Sequence, residues 1–450
     1  MKRFLPKLLS PQRFFIISFA LLILIGAFIL WLPYSTTGRH ISFIDALFTS
    51  ASAVCVTGLT VLNIGEDLST AGQIVTLCLF QIGGLGIITF SVVLFGLMGR
   101  GISFKGREIF QSAFLHTPRR DFYVIMKWVF GLTFAIEVLG TLLLYVGFSR
   151  DFPREQALYQ AFYHAVSAFN NCGFSLLPGK LMRFQGDVII NLTIMALVIL
   201  GGIGFIVQYE IVSRWRGYQQ RLSLHSRIVL ITTASLILGG AAFFYLFEMN
   251  HILKDVPVKT QILASFFQSV TPRTAGFNTV NISYLTNPTI LVLITLMFIG
   301  ASPGSTGGGI KTTSFALLHL MIWSRLKGRD QVNVFDRTIP PEIMTRTIAI
   351  IFASAFSITV ITSILLLLGG VGNLPPVESR HYFVEYLFET VSAFGNVGLS
   401  MGITPTLSAG QKLALILTMF AGRVGPLTLA FSWYSPKKGL TYAEESVMVG

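Results

Sequence analysis

Eight stretches of the chain are apolar over about 20 residues or more, the length a helix needs to cross the hydrocarbon core of a bilayer. They run approximately over 14–33, 71–98, 122–147, 186–212, 227–248, 288–323, 345–369 and 411–433, and a glycine-rich run interrupts the sixth. Between the members of each successive pair lies a shorter amphipathic stretch that starts among polar residues and ends at a glycine. Too short to span, it is expected to enter the membrane and return on the same side. The first apolar run, from Phe14 to Leu32, is followed by Arg39 and His40 instead of a small-residue cleavage site, so it reads as a retained span and not as a signal peptide.

Set side by side, the four short stretches read FIDALFTSASAVCVTGLT, LYQAFYHAVSAFNNCGFS, ILASFFQSVTPRTAGFN and FVEYLFETVSAFGNVGLS. They align without gaps on Gly58, Gly173, Gly276 and Gly398. Ten positions before the glycine stand Phe48, Tyr163, Phe266 and Phe388, and six before it stand Ser52, Ser167, Val270 and Ser392. Self-similarity at about one hundred residues predicts four units. Their expected bounds are 1–100, 101–220, 221–330 with a broken second span, and 331–435, followed by a tail at 436–450. Because each unit makes two full crossings, all four start on the same side and repeat in parallel, unlike inverted-repeat carriers. The fold class expected is an all-α integral membrane protein with four parallel pseudo-symmetric helix–pore loop–helix repeats around one ion pore.

Composition agrees with the bilayer as solvent: 53% of the 450 residues are hydrophobic and 12% charged, and the mean hydropathy is +0.70. A formal net charge of +13 raises nucleic acid as a partner, but the placement of the charge argues for topology instead. Most of the lysines and arginines lie before the first span (Lys2, Arg3, Lys7, Arg13), after the last (Lys437, Lys438), or in alternate loops around Arg100–Lys127, Arg214–Arg227 and Arg325–Arg346. By the positive-inside rule those loops and both termini are expected to be cytoplasmic, with lipid and not nucleic acid as the surroundings. Cys55, Cys78 and Cys172 stand apart in apolar sequence and are expected to be small, buried and unbridged. With seven scattered histidines and no clustered carboxylates, nothing suggests a haem, a metal centre or an acid–base pair, so no enzyme is expected.

The aligned glycines carry the candidate chemistry. A dehydrated monovalent cation needs several oxygens in place of its water, and a ring of backbone carbonyls supplies them without fixed charge. A glycine lets the chain turn those carbonyls towards an axis. The short helices run towards their glycines, so their C-terminal ends, each with roughly half a negative charge, favour a cation there. The candidate ligands are the carbonyls of Val56, Thr57 and Gly58, of Asn171, Cys172 and Gly173, of Thr274, Ala275 and Gly276, and of Asn396, Val397 and Gly398. None of these residues is acidic, which argues for a monovalent ion. The alternative is that the glycines only allow helices to pack closely, as small residues do throughout membrane proteins.

The pattern resembles the Trk/Ktr/HKT superfamily of potassium transporters over essentially the whole chain, through TPRTAGFN at 271–278, SAFNNCGF at 167–174, SAFGNVGL at 392–399 and FAGRVGPLT at 420–428. The short N terminus and eight spans look most like its KtrB-type membrane subunits. The resemblance implies potassium uptake across the plasma membrane, with K+ as substrate and often Na+ as a stimulating ion. It also implies a homodimer with one pore per subunit, no cofactor on this chain, and a cytoplasmic ring of KtrA- or KtrC-like regulatory subunits that binds ATP or ADP. Some plant members with serine at the first filter glycine prefer sodium, so Gly58 supports potassium. Cys55 and Cys172 depart from the Thr, Ser or Ala that relatives often carry; their side chains are expected to point away from the axis.

The interruption of the sixth stretch comprises Ala301, Ser302, Pro303, Gly304, Ser305, Thr306, Gly307, Gly308 and Gly309, with helix expected again near Ile310. It fails as a phosphate-binding loop because Ile310 separates Gly309 from Lys311 and no strand precedes it. The resemblance implies a gate loop below the filter, with Lys311 meeting its opposite face. Glycines at 83, 84, 86, 201, 202, 204, 422 and 425 are expected to serve close packing more than bending. Arg423, a charge inside the last span, needs a reason: either it raises a barrier in the pore or it pairs with an acid such as Glu137 or Glu389. Arg273 is expected to brace the third filter, with Asp45, Glu385 or Glu389 as its partner. Sodium as the ion remains an alternative within the same architecture.

Overall fold

The computed structural model describes residues 11–38, 40–98, 122–218, 220–370 and 375–425. The basic run at 100–120, the end of the last apolar stretch and the tail at 436–450 lie outside the described residues.

Each of the eight apolar stretches carries helix: α1 Pro11–Trp31, α3 Thr70–Met98, α4 Phe122–Phe148, α6 Val188–Gly202 with α7 Phe205–Trp215, α8 Leu224–Glu248, α10 Asn287–Phe298 with α11 Thr312–Leu326, α12 Pro341–Leu368, and α14 Ala409–Val424. Among the described residues, Trp128–Phe148, Leu224–Glu248 and Pro341–Leu368 are each long and apolar enough to cross a membrane. The short stretches form α2 Phe43–Val54, α5 Arg154–Phe169, α9 Val258–Val270 and α13 Pro376–Gly395. Their starts follow local rules. Ser42 accepts from the Asp45 N–H at the head of α2, where an acidic side chain also meets the positive helix end. Pro153, Pro257 and Pro375 are the N-cap residues of the other three, in extended conformation. Ser408 and Gln411 close a reciprocal capping box on α14.

Apolar clusters fill much of the interior, but large apolar side chains also cover the outside while polar ones are buried, an arrangement that a protein in water avoids. Phe134 and Leu139 on α4, Leu238 on α8, and Phe352 and Phe356 on α12 are exposed, whereas His164, Gln268, Asn171, Glu389 and Asn396 are fully buried. Hydrocarbon around the molecule satisfies the first set. Packing follows the chain order: α2 lies against α1 and α3, α5 against α4 and α6, α9 against α8, and α13 against α12 and α14. Each unit also reaches the next. The helix after each short helix touches the following short helix, α3 on α5, α6 on α9 and α10 on α13, and α14 returns to α2.

Two stretches depart from straight spans. The fourth, expected to run unbroken over 186–212, is cut at Ile203 and Gly204, and α6 and α7 meet at 101°. The cause is tertiary: the Phe205 N–H donates to the Gly304 carbonyl at 2.9 Å, and Gly204, at φ +95°, leaves room where a Cβ would lie 2.6 Å from the Pro303 oxygen. Gly204 therefore bends the chain instead of packing helices. In the sixth, helix ends at Phe298 and resumes at Thr312, two residues beyond Ile310, and Ile299 pairs with Ile310 in a parallel bridge across the mouth of the loop. A two-residue hairpin joins Asn333–Val334 to Arg337–Thr338 between α11 and α12, turning through Phe335 and Asp336, both at positive φ.

Candidate functional site

Past the C-terminal end of each short helix the chain adopts the same unusual backbone. Val56, Asn171, Thr274 and Asn396 have φ of +56°, +57°, +71° and +53°, and two residues later Gly58, Gly173, Gly276 and Gly398 have φ of +88°, +73°, +70° and +85°. Left-handed residues separated by one ordinary residue turn successive peptide planes alternately. For a non-glycine residue this costs about 1–2 kcal/mol, and for the β-branched Val56 and Thr274 it is a true outlier. Strain repeated four times at one motif marks a site.

The four glycines face one another in a closed order. A Cβ on Gly58 would lie 2.1 Å from the Cys172 carbonyl oxygen, one on Gly173 2.4 Å from that of Ala275, one on Gly276 2.4 Å from that of Val397, and one on Gly398 2.1 Å from that of Thr57. No side chain fits at any of the four places. Below them, side chains tie neighbours in pairs: Asn171 to the Thr274 hydroxyl at 3.1 Å, and the Asn396 amide to the Thr57 hydroxyl and the Met419 carbonyl, both at 2.9 Å. Serines hold the turns from behind. The Gly58 and Gly398 N–H groups donate to Ser52 and Ser392 at 3.0 and 3.1 Å, while Ser167 donates to the Phe174 carbonyl at 2.8 Å.

In the third unit the gapless alignment holds from Thr274 onward but not on the short helix before it. Thr271, five residues before Gly276, takes the place of the serine by donating to the Phe277 carbonyl. The buried aromatic is Phe267 and not Phe266, which is exposed. The short helix is thus advanced by one residue, and the turn residues that follow, Thr271 to Ala275, absorb the difference.

The glycines at mid-depth back this site. A Cβ on Gly83 would lie 2.1 Å from the Val54 carbonyl, on Gly201 1.9 Å from that of Phe169, and on Gly422 1.9 Å from that of Phe394. Each of these carbonyls stands four residues before a filter glycine. The third unit has the glycine-rich loop there instead, and a Cβ on Gly307 would meet the Thr274 hydroxyl at 2.1 Å. That loop is tied to the bend at Gly204: Ser302 and Thr306 donate their N–H groups to the Gly202 and Gly201 carbonyls at 3.0 and 3.2 Å, and Lys311 donates to the Gly307 carbonyl at 2.9 Å. Lys311 therefore stays with its own loop.

Arg423 is buried, and its guanidinium donates to the Thr306 carbonyl of the loop and, across the molecule, to the Gly83 carbonyl at 2.5 Å. Among the described residues it has no carboxylate partner. Glu137 accepts instead from Gln81 at 3.0 Å and from Asn170 at 3.3 Å, and Glu389 from Thr404. Arg273 is likewise buried without an acidic partner among the described residues, and its Nε is unpaired; Asp45 pairs with Lys412 at 2.7 Å. Cys55 and Cys172 are buried and free, but Cys78 is exposed.

A group that composition and periodicity did not single out lies on the other side of the glycines. Lys180, in the loop after the second turn, donates from Nζ to the Gly276 carbonyl and, at 2.9 Å, to the Gly398 carbonyl. Burial lowers its pKa to about 8, with Cys172 and Glu389 acting the other way.

Known proteins resemble the chain over its full length. A family model described as "TrkH: Cation transport protein" matches residues 10–438. The Ktr system potassium uptake protein B of Bacillus subtilis is 37% identical over 98% of this chain and 97% of its own length, and the potassium/sodium uptake protein NtpJ of Enterococcus hirae is 36% identical over 100% and 99%. The crystal structure of the potassium transporter TrkH from Vibrio parahaemolyticus shares the fold, with a TM-score of 0.71 at 20% identity, over 94% of this chain and 85% of that one. With its apolar outer helices and its matched length, the chain belongs to the TrkH family of cation transport proteins, multi-pass membrane proteins that are transporters and not enzymes.

Proposed function

We propose that the chain takes up potassium through a pore surrounded by its four units, each set by its span bounds above, with the carbonyls at 56–58, 171–173, 274–276 and 396–398 standing in for the ion's water. The closed order of the four glycine turns, each against the carbonyl before the next glycine, is the observation that carries this reading. Four helix C-terminal ends meet there without an acidic side chain, as a monovalent filter requires. The loop at 301–309, with Lys311, held by Arg423 on one side and the bend at Gly204 on the other, is the gate. A KtrA- or KtrC-like cytoplasmic ring binding ATP or ADP moves it, in a homodimer of the plasma membrane with both termini in the cytoplasm. Sodium stimulates this uptake; sodium-conducting transport is the second reading, favoured by the full-length similarity to a potassium/sodium uptake protein.

The test is uptake of isotopic rubidium in cells lacking their own potassium transport, with sodium added as stimulator or competitor. Saturable rubidium uptake that excess sodium does not abolish is expected. Uptake of sodium but not rubidium selects the second reading, and uptake of neither overturns both.

A further inference from the structure

The loop that follows the second filter turn is shaped to deliver one side chain to its neighbours. Gly179 and Lys180 are consecutive residues at positive φ, +67° and +57°, and the Lys180 N–H closes the turn on the Leu177 carbonyl at 3.1 Å. The next residue, Leu181, is buried, and its N–H donates at 3.2 Å to Asn278, two residues past the third filter glycine. The loop of one unit is therefore anchored on the next. From there the lysine stem reaches two adjacent corners of the glycine ring, at Gly276 and Gly398. These two corners are neighbours in the closed order, with Gly276 against the Val397 oxygen.

An ammonium is a compact monovalent cation with three donors. Among the described residues Lys180 has no salt-bridge partner, so the oxygens that receive its charge are those that would receive a permeating ion. We infer that Lys180 is a tethered competitor of the transported cation: its ammonium occupies the outer position between the Gly276 and Gly398 carbonyls, and an ion entering from that side displaces it. This rests on the carbonyl-ring reading above. The flexible four-carbon stem lets the ammonium leave without unfolding the loop, whose anchor at Leu181 is backbone. Lys180 then sets the external concentration at which uptake half-saturates.

The experiment compares rubidium uptake by the wild type, Lys180→Gln and Lys180→Arg in the same potassium-transport-deficient cells, with folded protein quantified by size exclusion. A tethered group has an effective concentration of about millimolar, so removing its charge is expected to lower KM for external rubidium by about fivefold or more. Lys180→Gln can still donate to the carbonyls and preserves the loop; Lys180→Arg keeps the charge and is expected to keep a high KM. An unchanged or raised KM in folded Lys180→Gln overturns the inference and leaves Lys180 as a strut. If Lys180→Gln does not fold, Lys180→Met takes its place: a KM lowered about fivefold supports the inference and an unchanged KM overturns it. Absence of saturable uptake in the wild type itself overturns the carbonyl-ring reading instead.

Discussion

Replacing Gly276 by alanine tests the ring most directly. The new Cβ would start 2.4 Å from the Val397 oxygen and 3.1 Å from the Gly398 Cα, on a residue at φ +70°. Ordinary carbon–oxygen contact begins near about 3.3 Å, so the two turns must separate by about 1 Å at that corner. The left-handed backbone costs about 1–2 kcal/mol, and overpacking adds about 1–3 kcal/mol. If that cost falls on the ion-bound state, about 2 kcal/mol is already about a 30-fold loss. The control is Gly239→Ala in α8, where a Cβ meets nothing within 4 Å and alanine is the better helix former. Rubidium uptake at equal amounts of folded protein is expected to fall about 30-fold or more in Gly276→Ala and to stay unchanged in Gly239→Ala. Wild-type rate and KM in folded Gly276→Ala would refute the idea that these four carbonyls contact the ion.

Arg423→Gln removes the donors to Thr306 and Gly83, so proteoliposomes without regulatory subunits are expected to leak rubidium faster than wild type; equal flux would mean that the guanidinium does not restrain the loop. Deleting part of 301–309 is expected to raise regulator-free flux in the same assay. Gly422→Ala drives a Cβ into the Phe394 carbonyl at 1.9 Å, and a loss of folded yield or several degrees of melting temperature is expected, whereas Gly131→Ala, with open space around it, should cost nothing. Lys412→Met leaves Asp45 without its partner at 2.7 Å in a site where both side chains are mostly covered, and a loss of about 1 kcal/mol is expected in thermal unfolding.

Much of this architecture is readable from local pattern. Apolar length located every long helix, and the recurring glycine located the four places where the backbone turns left-handed, because both follow from physics within a few residues. What escaped depends on distant contacts. The bend at Gly204 exists because a loop a hundred residues later docks there, and nothing in the apolar run at 186–212 announces it. The one-residue advance in the third unit was hidden by aligning on the glycine alone; the pair Phe266–Phe267 and the threonine at 271 were the available signal. An acidic partner was expected for Arg273 and was one of two readings of Arg423, yet Arg423 is met by backbone carbonyls, one in the glycine-rich loop and one on α3. Lys180 lies 96 and 218 residues from the carbonyls it reaches, a distance over which spacing carries no information.

The return of α14 onto α2 has a consequence for how such a chain can be cut and rebuilt. Every quarter borrows one of its walls from the quarter before it, so a half-length piece would present two raw faces, one at each border. Two halves made separately, split between α7 and α8, would have reciprocal faces to offer each other and no equally good substitute, which makes their reassembly into one working whole the natural expectation and the solitary half a poor folder.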